Sequence, residues 1–120
     1  MQNPPNPDRP DGDPNALGSP PTPGVAASRE ARVTCQAITY EGAPAISCAV
    51  THRQGFGALN ACWDTVVHCQ DGGAARAHRC QPVAAGATET VVMLKAEFAH
   101  GNECTIPSRI TVEGLSALAR

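Results

Sequence analysis

Six cysteines and four histidines hold most of the reactive chemistry in this 120-residue chain. Cys35, Cys48, Cys62, Cys69, Cys80 and Cys104 are separated by 13, 14, 7, 11 and 24 positions. None of these gaps is a Cys-x-x-Cys spacing, which argues against a zinc ribbon and against a thioredoxin-type redox motif. An even number of cysteines in a short chain with few large aromatics points instead to three disulfides. Disulfides imply an oxidising compartment: periplasm, cell surface or medium.

Histidine is the side chain that changes charge near neutrality, and the chain has His52, His68, His78 and His100. His68 and His78 fall on two strands joined at Asp71, with Asp64 opposite His78, so these three could form a small surface metal site. Zinc needs three or four converging ligands, and ordinary exposed strand histidines are the simpler expectation; no metal and no cofactor is expected. A nucleophile is harder to find. Ser47 and Ser108 stand in no Gly-x-Ser-x-Gly turn, and no acidic pair shares a face with a histidine. Cys62-Trp63 beside histidines resembles a thiol enzyme only superficially, because a cross-linked cysteine is not a nucleophile. The protein is therefore expected not to be an enzyme, with Trp63 a core residue of a central strand.

The elements that must position these groups divide the chain in two. Eight of eleven prolines precede residue 24, and all six cysteines follow residue 34. Residues 1–29, rich in Pro, Asp and Gly, are expected to be a disordered, extended arm, and residues 30–120 a disulfide-linked β domain. From Arg32 onward β-branched residues alternate and turn signals recur about every ten residues, the mark of an all-β sandwich or barrel. The pattern predicts strands from Ala31 to Tyr40, Ala45 to His52, Ala61 to Gln70, Ala75 to Gln81, Thr88 to Phe98 and Thr105 to Glu113. In the fifth, Thr88, Thr90, Val92, Leu94, Ala96 and Phe98 share one face, and Glu89, Lys95 and Glu97 the other. Leu115 to Arg120 hints at a short helical turn.

The turns constrain the cross-links. With Glu41-Gly42 as a two-residue hairpin loop, Cys35 lies opposite Cys48 at a non-hydrogen-bonded pair, where side chains approach closely and where Pro44 is tolerated. With Gln70-Asp71-Gly72 as a three-residue loop and Gly72 left-handed, Cys62 lies opposite Cys80. Cys69 and Cys104 then remain for the third bond, near turns at the same end. These pairings rest on two assumed registers among 15 possible connectivities.

Charge and length exclude other classes. The net charge is −2, and Lys95 is the only lysine, so a phosphate-tracking surface and nucleic-acid binding are not expected. The longest apolar run is Val91 to Leu94, against the roughly 20 residues a transmembrane helix needs. Met1 is followed by neither a charged n-region nor an apolar h-region, so an export signal is expected to have been removed. In composition, Gln2 to Ser28 resembles the spacer that follows the lipidated cysteine of bacterial lipoproteins, which implies a lipid anchor upstream.

The stretch Val67-His68-Cys69-Gln70-Asp71-Gly72, followed by Val83 to Thr90, resembles in rhythm the FxLYD-like and related immunoglobulin-like modules of bacterial exported proteins. Asp71 keeps the motif's identity, while Val67 and Gln70 replace its aromatic positions. The resemblance implies an antiparallel immunoglobulin-like β-sandwich and no catalytic residues.

The function expected is a non-catalytic exported binding or assembly module, the globular domain of a lipoprotein, engaging another envelope or extracellular protein. The alternative is a small secreted inhibitor or effector acting in trans. The candidate contact is the loop Arg53-Gln54-Gly55-Phe56-Gly57-Ala58, where Phe56 and Arg53 have the composition of an interface hot spot. Against it stands Phe56 folding back to plug the end of the core, the preferred of the two readings. A core so rich in alanine is expected to be solid, with any binding at loops or edges and not in a pocket.

Overall fold

A computed structural model describes residues 21–70, 72–99 and 106–119. Seven strands account for most of them: β1 (Gly24–Ala27), β2 (Ala31–Tyr40), β3 (Ala43–His52), β4 (Leu59–Cys69), β5 (Ala74–Val83), β6 (Thr88–Leu94) and β7 (Pro107–Ala119), with a 3-10 turn at Lys95–Glu97. They form two antiparallel sheets, ordered β1-β2-β3-β6 and β5-β4-β7, around one core containing Val33, Val50, Trp63, Val67, Met93 and Phe98. The third strand stays beside the second in the first sheet. In immunoglobulin constant-type domains the third strand crosses to the other sheet, so the connectivity here is different.

Turn chemistry sets the first register. Glu41 and Gly42 both have positive φ, 51° and 82°, the two-residue hairpin turn whose twist suits adjacent strands. Every pair from Tyr40↔Ala43 to Ala31↔His52 follows from it, Cys35↔Cys48 among them. Gly72 is left-handed at φ 94°, and beyond it β4 and β5 align Cys62 with Cys80 and Asp64 with His78. Two of the three expected disulfides are seen among the described residues, Cys35–Cys48 and Cys62–Cys80. No described cysteine is a free thiol, Cys69 included. Its expected partner, Cys104, lies outside the described residues, as do Asp71, His100 and residues 1–20.

Chain crossings close the gaps between the sheets. On one side Ile110 N–H donates to Thr22 O (2.8 Å) and Thr22 N–H to Ser108 O (3.2 Å), so the segment leading into β1 runs parallel to β7 before pairing with β2. Gly24 sits at that crossing: a Cβ there would lie 2.5 Å from Ile110 O. On the other side Ala99 N–H donates to Arg76 O of β5 (2.9 Å). The 3-10 turn that carries the chain across is held by Glu97, which accepts from Leu94 N–H (3.0 Å) and from Arg79 of β5 (2.6 Å).

Three expectations are corrected. The arm does not extend to residue 29, because Gly24–Ala27 pair with β2 as an edge strand. Leu115 to Ala119 are strand and not helix: a bulge between the pairs Cys62↔Ser116 and Asp64↔Glu113, with Gly114 at φ 63°, lets β7 follow β4 to its end. In β6 the inward residues are Val91 and Met93, while Leu94 is exposed. Phe98 reaches the core only because the 3-10 turn ends the strand at Leu94 and redirects the chain.

Candidate functional site

Three places bring polar or apolar groups together in ways the fold alone does not need. The first is the outer face of the β5-β4-β7 sheet. Residues i and i+2 of a strand share a face, so Asp64 and Cys62 of β4 lie beside His78 and Cys80 of β5. The Asp64 carboxylate accepts from His78 Nδ1 at 2.7 Å and from Arg76 Nη1 at 3.1 Å, and Arg76 Nη2 reaches Glu113 Oε1 at 3.1 Å. A carboxylate can only accept, so Nδ1 carries hydrogen and Nε2 is turned to Cys80 Sγ, 3.7 Å away. Asn60 Nδ2 lies 3.7 Å from Cys62 Sγ. These ion pairs are exposed, and their main effect is to orient the imidazole, since pairs of this kind add little stability.

His68 does not join this group. Its Nε2 meets Thr111 Oγ1 at 3.0 Å, and it stands four residues along β4 from Asp64, about 13 Å at ordinary strand rise. The expected trio of His68, His78 and Asp64 is thus not assembled. Among the described residues the set with metal-ligand spacing is Cys62, His78 and Cys80, whose ligand atoms lie within 4.8 Å of one another, but both sulfurs are joined to each other. Ser108 Oγ donates to His68 O (3.1 Å), and so is engaged with backbone.

The second place is the Arg53–Ala58 loop. Its base is pinned on two sides: Arg53 N–H donates to Glu30 O (2.9 Å), Arg53 Nη1 to Ser28 O (2.7 Å), and Gly86 N–H to Gln54 O (3.1 Å). His52, buried at the foot of the loop, accepts from Gln54 N–H through Nδ1 (3.1 Å). Beyond this base Phe56 is 74% exposed. The plug reading is overturned: the buried residues at this end are His52, Leu59 and Ala61, and the Phe56 ring is in solvent. Arg53 braces the base, and Phe56 forms the tip.

The third place lies at the opposite end. The sheets separate around a cleft of about 280 Å3, lined by Ile38, Ile46, Val67, Met93 and Phe98, with Lys95 and Pro21 also on its wall. The expectation of a solid core fails here because small residues, Ala37, Ala45 and Ala75, stand where the sheets part.

By contrast, the Cys35–Cys48 disulfide has no access. Cys35 and Cys48 are fully buried, and Thr65 Oγ1 lies 3.7 and 3.6 Å from their sulfurs. Trp63 is a core residue as expected, its Nε1–H bonded to Thr65 at 2.9 Å. His78-x-Cys80 was legible in the sequence as a shared face. The cleft had no sequence signal, because it depends on how far two sheets part. No family model, curated protein or solved structure matches the chain.

Proposed function

We propose that this chain is a non-catalytic binding module of an exported protein, presenting the Arg53–Ala58 loop to another envelope or extracellular protein. The observation that carries this is the exposed Phe56 on a loop whose base is braced by two neighbouring turns. A large apolar side chain held ready at a tip gives contact area with little ordering cost, the property of interface anchors. Pro21 and Thr22 lie at the cleft end, opposite the Phe56 loop, which suits a module tethered on its N-terminal side, as a lipoprotein domain would be. Disulfide cross-links suit the periplasm, cell surface or medium. Two sheets with loops at both ends is the plan that immunoglobulin-like binding modules share.

A second reading rests on the cleft. Its apolar walls and the exposed Lys95 suit an apolar segment with an anionic group, which fits the secreted inhibitor or effector acting in trans. A photo-crosslinking residue placed at position 56, and separately at position 38, in cells exporting the protein distinguishes the two. Protein adducts from position 56 support the loop, whereas adducts from position 38 alone transfer the function to the cleft.

A further inference from the structure

We propose that Cys62–Cys80 is a thiol–disulfide exchange centre, in which Cys80 meets the partner sulfur, Cys62 is the resolving cysteine, and His78, oriented by Asp64, holds the charge that develops. The two disulfides joining described residues differ in access. Cys35–Cys48 is fully buried between the sheets, whereas Cys80 is exposed and Cys62 half-buried on an outer face. Exchange needs in-line access to a sulfur and a stabilised leaving thiolate. Both are present here.

The S–S axis joins directly opposed residues of β5 and β4, and β5 is the edge of its sheet. Approach to Cys80 along that axis comes over the β5 edge, where among the described residues the bridge from outside the sheet is at Arg76, four residues away, and Glu97 is held by Arg79, which alternates to the other face of the strand. Approach to Cys62 would cross β7, where Ser116 lies opposite it. A partner thiolate therefore attacks Cys80 Sγ, the bond to Cys62 breaks, and its electron pair leaves on Cys62 Sγ. Asn60 Nδ2–H, 3.7 Å away, donates to that thiolate, and the imidazolium form of His78, within 4.8 Å, gives it a proton and regains one from the partner's second thiol. The partner's second thiolate then attacks its own sulfur in the mixed disulfide, and Cys80 departs as a thiolate facing His78 Nε2 at 3.7 Å. The partner dithiol gives up two electrons and two protons to become a disulfide, and this chain gains both as two thiols. The reverse sequence oxidises the dithiol form with a partner disulfide.

The charged groups around His78 are Asp64 of β4 and Arg76 of its own strand, with Glu113 of β7 bound to Arg76. Asp64 fixes the ring through Nδ1 and leaves Nε2 beside Cys80 Sγ, and an imidazolium beside a thiol increases its thiolate fraction. The test uses the full chain. Folded protein is treated with dithiothreitol without denaturant, alkylated at timed intervals, and mapped by mass spectrometry. Cys62 and Cys80 become labelled while Cys35–Cys48 stays joined, which also reports that the fold persists. In that partly reduced protein, iodoacetamide labels Cys80 at pH 7 severalfold faster than in His78→Gln, because the gain in thiolate fraction outweighs the lower nucleophilicity of a stabilised thiolate. If both disulfides open together, or if the pH profile of Cys80 labelling is unchanged in His78→Gln, the proposal is overturned.

Discussion

Removing each disulfide in turn separates what a cross-link does to the unfolded chain from what its atoms do in the core. Cys35–Cys48 and Cys62–Cys80 span 13 and 18 residues, and loop-closure entropy assigns each about 3 kcal/mol, with a difference of about 0.3 kcal/mol in favour of the longer loop. On that ground alone Cys62→Ala/Cys80→Ala should be the slightly costlier double mutant. Burial reverses the order. Cys35 and Cys48 have no exposed surface and touch Thr65, and Cys48 also touches Met93. Truncating both to alanine removes two buried atoms from a filled core, at about 1 kcal/mol each. The expected losses are about 5 kcal/mol for Cys35→Ala/Cys48→Ala and about 3 kcal/mol for Cys62→Ala/Cys80→Ala. Equilibrium urea unfolding at pH 7 without reductant, followed by fluorescence of Trp63, the only tryptophan, measures both. If the two variants lose equal stability, or the outer pair loses more, the account of the inner disulfide as core material is wrong.

Two further substitutions probe other parts of the fold. Gly24→Ala forces a Cβ to within 2.5 Å of Ile110 O, backbone against backbone, and should cost about 1–3 kcal/mol, seen as a lower melting temperature. Gly55→Ala, with nothing within 4 Å, is the control and should leave that temperature nearly unchanged. Thr65→Val keeps the side-chain shape but strands the Trp63 indole N–H in the core, at about 1–3 kcal/mol. Thr65→Ser, which keeps the acceptor, should retain that hydrogen bond in double-mutant analysis.

The parts of the fold legible in the sequence are those that a short turn decides. A two-residue loop at Glu41-Gly42 leaves one register, so Cys35 opposite Cys48 followed by counting, and the same reasoning placed His78 opposite Asp64. What misled was local pattern without its neighbours. Glu89 and Lys95 made the even positions of β6 look like the inner face, yet Glu89 lies at the end of the strand, where even an inward-phased side chain reaches water. Gly24–Ala27 carries little strand signal because an edge strand needs only one partner. Phe56 was expected inside on scarcity of aromatics alone; its exposure depends on how completely β3 and β4 fill their end, which is a property of packing. The Asp64, His78 and Cys80 grouping needed register and strand periodicity together.

The crossing at Thr22 and the buried disulfide also determine how the molecule would yield to tension on its N-terminal side. Load entering there meets the bonds of Thr22 to β7 and then draws β1 from β2 starting at Gly24↔Cys35, one rung at a time, as a zipper opens. At Cys35 the covalent bridge passes the load directly to Cys48. The hairpin between them goes slack instead of unravelling, so the residues between Cys35 and Cys48 add nothing to the extension from that end.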